Sequence, residues 1–215
     1  MATTSDFSVG LLNKLFLALA EAGWAPSEVN DLAQDVPSLR AIRDVRLGVA
    51  EITVTKRLCW VEAVDLPANA TSFQASDHFK TKDGLYVWSG FENLVLSAVG
   101  VAETTPAAKI ASFDLLKDTP DERIRAELPD SHVFQDANVF CSHLAGMLDH
   151  QAGGKGGPLL TNGGANIFYV KVADEVVAVY ACWPCDSREW SVRAAHLGGD
   201  PWGVGNRVFS AAAVA

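Results

Sequence analysis

A chain of 215 residues with 49% hydrophobic and 20% charged residues carries enough apolar material for a buried core and excludes intrinsic disorder. Its net charge of -9 opposes bulk attraction to nucleic acid or to an anionic membrane, and no run of about 18 apolar residues is available to span a bilayer. The first segment carries Asp6 and no basic n-region, and Lys14 and Glu21 interrupt its apolar run, which argues against a signal peptide. The four cysteines are therefore expected as reduced thiols in the cytoplasm.

Residues 1–48 predict three helices. Phe7, Leu11, Leu12, Leu15, Phe16 and Leu19 recur at helical spacing, with Ser5 or Asp6 as cap and Gly23 as stop. A second helix takes Ser27 as N-cap and shows Val29 and Leu32 on one face. A third starts near Pro37, turns Leu39, Ile42 and Val45 inward and ends at Gly48. The segment 50–60 alternates like a strand. Residues 63–83 are mixed and polar and read as a loop or linker. The expected organisation is a helical unit plus strand over 1–62, the linker 63–83, and an α+β domain over 84–215.

Within that domain, 85–88 predicts a short strand. Ser89 and Glu92 have capping-box spacing for a helix that follows. Residues 109–116 read as a strand, and Thr119-Pro120 as the cap and first turn of an acidic helix. From Asp136 to Gln151, Val139, Phe140, Leu144, Met147 and Leu148 fill one apolar arc of a helix. The glycine-rich loop 153–157 resembles a phosphate cradle only in composition. It lacks the Lys-Ser/Thr ending and reads as a helix stop and flexible turn. Four strands follow, at 167–172, 176–183, 189–195 and 207–210. Short connections make the first three an antiparallel meander. The fold class is thus α+β: an N-terminal three-helix unit, then a mixed region whose C-terminal antiparallel β-meander packs on a helix.

The one short motif that suggests chemistry is Cys182-Trp183-Pro184-Cys185. A redox CxPC site needs a helix N-terminus to stabilise the first thiolate. Here a turn and a strand follow, so the motif reads as a hairpin tip. Zinc is the other possibility, with Cys182 and Cys185 joined by Cys141 and His196. Cys141 and His143 lie about 200° apart around a helix, and His143 and His150 about 10 Å apart along it, so neither pair completes a site. No catalytic motif and no convergent acid, base and nucleophile are present, so no catalytic residue is assigned and no cofactor is implied beyond that zinc alternative.

Two surfaces offer binding. Trp183, Trp190, Trp202, Tyr169 and Tyr180 gather around the meander and form a candidate aromatic binding row. Arg40, Arg43 and Arg46 follow one side of the third helix. Between 36 and 57, five basic residues face only Asp44 and Glu51. That patch can contact phosphates of nucleic acid, although the helix carries no Asn or Gln to read bases.

The run Leu159-Leu-Thr-Asn-Gly-Gly-Ala-Asn-Ile-Phe-Tyr-Val170, the strand Trp190-Ser-Val-Arg-Ala194 and the ending Trp202-Gly-Val-Gly-Asn-Arg-Val-Phe-Ser210 resemble a family of uncharacterised hypothetical bacterial proteins. Gly23-Trp24 and Leu32-Ala-Gln-Asp35 are similar to it too. The resemblance covers both ends of the chain and implies no activity. Its members need not have two cysteines between the second and third strands. The expected function is a non-enzymatic cytoplasmic module with a protein partner or self-association and no membrane. A helix-turn-helix-like DNA-binding regulator is the alternative, followed by a zinc- or thiol-dependent enzyme.

Overall fold

The computed structural model describes residues 9–50, 56–184 and 186–211. The chain forms two compact units that divide between Thr55 and Lys56.

The first unit holds α1 (Val9–Glu21), α2 (Pro26–Gln34) and α3 (Val36–Arg46). Gly23, at φ +87°, takes the left-handed conformation that stops α1. Proline pre-sets the first turn of α2, so Ala25 rather than Ser27 is the N-cap, and the Glu28 carboxylate accepts the Ala25 N–H at 2.7 Å. Asp35 caps α3 by accepting from the Ser38 N–H at 3.1 Å. Ser5, Asp6 and Phe7 lie outside the described residues. The inward face expected of α3 is not formed. Leu39 and Ile42 are exposed and Val45 is half-buried, and among the described residues neither α2 nor α3 buries a side chain.

The second unit is built on a seven-stranded sheet, ordered β1-β5-β9-β6-β7-β8-β3. Its strands are β1 (Leu58–Leu66), β3 (Leu85–Val87), β5 (Ala108–Leu115), β6 (Ala165–Val172), β7 (Glu175–Cys182), β8 (Trp190–His196) and β9 (Arg207–Ser210); β2 (Phe73–Gln74) and β4 (Val101–Ala102) pair separately. β6, β7 and β8 form the expected antiparallel meander. β9 does not continue it. It inserts between β5 and β6, parallel to β6, because the loop after β8 doubles back and Trp202 pairs its backbone with Thr119. That pairing also removes Thr119 from the expected N-cap, and α6 (Asp121–Glu127) starts behind Pro120.

The segment 63–83 is not a linker. It contains the end of β1, then β2 and the short helix α4 (Ala75–His78), all part of the larger unit. Part of the expected strand 50–60 falls at 51–55, outside the described residues, and β1 runs on to Leu66, paired with β5. Ser89 does not cap the next helix: α5 (Ser89–Phe91) starts directly after Trp88 and passes into a π-helical turn, Glu92–Leu96. A Cβ on Gly90 would lie 2.5 Å from the Ala194 carbonyl oxygen, so glycine lets this turn close onto β8.

Both faces of the sheet are packed, which makes this an α+β domain. On one face α7 (Ala137–His150) buries Phe140, Leu144, Met147 and Leu148 against Phe168, Val170 and Phe209. The Phe168 and Phe209 rings stack at 4.7 Å. Each such side chain contributes roughly 1.5–3 kcal/mol by burial. The other face carries Ile167, Tyr169, Ala178 and Val208 under Ile124 and Leu128, from α6 and the residue that follows it. β6 is buried on both faces, which explains its unbroken apolar run. Among the described residues no helix is long and apolar enough to cross a membrane.

Candidate functional site

The cysteine motif sits where β7 turns back into β8. Cys182 pairs with Ser191, and Arg188, at φ +54°, donates its N–H to the Pro184 carbonyl at 3.2 Å. Burial raises the Cys182 thiol above its usual range, with Arg193 opposing. Cys141 lies in the core on α7, and burial pushes its thiol up to about 12, so it is an inert thiol at neutral pH. Cys185 lies outside the described residues.

The geometry corrects the zinc alternative. His196 opposes Val177, five positions along the strand from Cys182, roughly 17 Å at the rise of an antiparallel strand. Its ring instead meets Glu175 at 2.8 Å. Cys141 belongs to the core on the α7 face, whereas Cys182 packs on the opposite core. Among the described residues no three His, Cys, Asp or Glu side chains gather as a metal-binding set.

The aromatic row divides. Tyr169, Trp183 and Trp190 are buried. Trp183 lies 5.4 Å from Trp190 and presses on the glycine-rich loop, where a Cβ on Gly154 would come within 2.7 Å of its indole. That loop also wraps the buried Gln151 side chain, which donates to the Lys155 and Leu159 carbonyls. The loop is thus a packing device around two side chains.

Tyr180 and Trp202 remain half-buried, edge to face at 5.0 Å. Near them the sheet carries two aromatic residues outside the expected row, Tyr86 and Trp88, each 40% exposed. The Arg193 guanidinium lies 3.9 Å from the Trp88 ring centroid, and the Trp88 indole donates to the Ser191 hydroxyl at 2.8 Å. Their i, i+2 spacing on a strand was the available signal.

Trp202 and Tyr169 share a further partner. The buried Asp121 carboxylate accepts from the Tyr169 hydroxyl, the Trp202 indole and the Gly198 N–H. Beside it, Arg125 donates to His132 Nε2 at 3.2 Å, and His132 Nδ1 donates to the Pro129 carbonyl at 2.8 Å. Every polar group here has a partner inside the protein, so the cluster clasps α6 and the loop after β8 onto the sheet.

Open space lies elsewhere. A cleft of about 540 Å³ runs between the end of β1 and α7, lined mainly by apolar groups together with Asn69, Thr105, Ser142, His143 and His150. The Thr105 hydroxyl donates to Ser142 Oγ at 2.7 Å. His143 is only 6% exposed, and among the described residues its Nε2 has no hydrogen-bond partner. Burial lowers its pKa, with the Pro106 carbonyl that accepts from its ring opposing, so the imidazole is neutral at pH 7. The helical spacing of His143 and His150 leads to this wall, whereas Thr105 and Asn69 arrive from distant segments without a sequence signal. His78 faces Asp149, in the last turn of α7, at 3.7 Å.

Arg40, Arg43 and Arg46 are exposed on α3, and Arg43 approaches Asp44 at 3.9 Å.

The second unit is an α+β domain with one mixed sheet, helices on both faces and an apolar cleft beside its longest helix. No family model matches the chain, and no curated protein or solved structure matches it.

Proposed function

We propose that the protein is a non-enzymatic interaction module of the cytoplasm whose N-terminal helices dock a partner protein. One observation carries this reading: α2 and α3 bury no side chain, while Leu15, Phe16, Leu17, Trp24, Leu39 and Ile42 are 37–62% exposed. A set of apolar side chains left in water marks a docking surface. Arg40, Arg43 and Arg46 border Leu39 and Ile42 in sequence, which selects a partner surface with an apolar centre and an acidic rim.

A photo-crosslinking amino acid at Ile42, in cells, tests this. The expected result is one discrete adduct, lost on Leu39→Asp and weakened when Arg40, Arg43 and Arg46 become glutamate. No adduct, or one indifferent to these changes, overturns the reading. The same three arginines support the DNA-binding alternative. A salt-dependent gel shift abolished by the triple Arg→Ala variant would favour it, and no binding at low salt would end it.

A further inference from the structure

We infer that the cleft beside α7 is a binding site for a small neutral molecule of one or two rings that carries a single O–H or N–H donor, with His143 as the acceptor. This rests on the second unit alone and does not depend on the helical docking surface.

Size and lining set the class. A volume of about 540 Å³ lies within the range of small-molecule sites. Among the described residues no lysine or arginine lines the cleft, so an anion finds no counter-charge there. Asp65 lines it, but its carboxylate is well exposed and pairs with Lys109 at 3.6 Å, so a cation has no buried partner either. An uncharged, mostly apolar body is what remains.

The polar contact is unusual in being half made. Buried nitrogen and oxygen atoms nearly always have partners. His143 lines the cleft, and among the described residues its Nε2 has no hydrogen-bond partner, so it is the acceptor of this proposal. The neighbouring Thr105 hydroxyl donates to Ser142 Oγ. A donor on the ligand therefore gains a hydrogen bond where the empty protein has none.

A second observation is independent of His143. Gly146 lies within α7 and lines the same cleft, and a Cβ placed on it would meet nothing within 4 Å. Its φ is not positive, so no backbone conformation demands glycine there. Glycine in a helix interior is about 1 kcal/mol less favourable than alanine. The bare backbone at Gly146 leaves the cleft wall open to a ring.

Indole and benzofuran have nearly the same shape, and only indole carries an N–H. Each is titrated into the full-length protein and followed by ligand-observed NMR, with the ¹⁵N shift of His143 Nε2 read in parallel. The expected result is that indole binds roughly tenfold tighter than benzofuran, the equivalent of one hydrogen bond, and that only indole moves the Nε2 resonance. His143→Phe should equalise the two ligands. Gly146→Leu should weaken both at least tenfold while the far-ultraviolet circular dichroism stays that of the parent. Should His143→Phe fail to fold, the Nε2 shift in the parent and the Gly146→Leu titration decide. No binding of indole at millimolar concentration, equal affinity for both ligands in the parent, or an unmoved Nε2 resonance overturns the inference.

Discussion

The Trp202 indole and the Tyr169 hydroxyl donate to the same oxygen, Oδ1 of Asp121, at 2.7 and 2.9 Å. Tyr169 belongs to the central strand β6, Trp202 to the loop that carries the chain back to β9, and Asp121 to the first turn of α6. One carboxylate thus ties a helix, a loop and the sheet. Tyr169→Phe removes one donor and leaves Asp121 with Trp202 and Gly198, for an expected loss of about 1–2 kcal/mol. Asp121→Ala leaves a buried hydroxyl and an indole without an acceptor and is expected to cost more, on the order of 3 kcal/mol. Urea midpoints of the two variants check the order.

The same pair sets the alkaline limit. Burial, and then the Asp121 charge and hydrogen bond, raise the Tyr169 pKa above its usual 10. In the unfolded chain the phenol ionises near 10, whereas in the folded chain it does not. The contribution to stability is therefore complete below about pH 10 and is lost as pH rises beyond it. Thermal midpoints between pH 9 and 11 should fall more steeply for the parent than for Tyr169→Phe. Parallel slopes would remove Tyr169 from the alkaline limb.

Acid should act through the histidines. Burial lowers the pKa of His78, His132 and His143 from the usual 6.5, against opposing contributions from Asp149, the Pro129 carbonyl and the Pro106 carbonyl respectively. Below 6.5 the unfolded chain takes up protons that the folded chain refuses. Their stabilisation is full above that pH and declines as pH falls through the folded values. The thermal midpoint should drop from about pH 6.5 downward. His143→Phe should shallow that limb, since Phe carries no proton in either state, and an unchanged slope would show that His143 plays no part in it.

The sheet was the most legible part of the chain. The meander and α7 are dictated by period and by turn residues within a few positions, and both form where the pattern places them. β9 was legible as a strand but not as a neighbour of β5 and β6, because its position depends on the backbone pairing of Trp202 with Thr119, some eighty residues away. Residues 63–83 look polar because β2 and α4 are short and half-exposed, so their composition resembles a loop. The aromatic row was partly misread for a related reason: composition identifies tryptophans on a sheet but not which face has a helix over it. The cleft was nearly silent. His143 and His150 share a side of α7, yet Thr105 and Asn69 reach them only through tertiary folding.

Gly154 joins two constraints in one residue. Its φ is +74°, and a Cβ there would lie 2.7 Å from the Trp183 indole. Gly154→Ala should therefore lose about 1–2 kcal/mol for the left-handed conformation alone, and more for displacing an indole packed on Trp190. Trp183→Leu relieves only the second penalty. A double-mutant cycle should show a coupling of at least about 0.5 kcal/mol between the two positions, whereas strict additivity would mean that the loop shifts freely away from the indole.

Phe168 and Ile42 are both large apolar residues, and substitution should be costly at the first and nearly neutral at the second. Phe168 is fully buried and stacked on Phe209, so Phe168→Ala opens a cavity in the centre of the sheet and should cost about 3–5 kcal/mol. Ile42 is about half exposed on α3 and gives up little buried surface. Ile42→Asp should shift stability by no more than about 0.5 kcal/mol, as surface substitutions do. Chemical denaturation of the two variants against the parent measures both. A large loss at Ile42 would mean that its side chain is covered in the isolated protein, and the docking surface proposed for the N-terminal helices would then already be occupied.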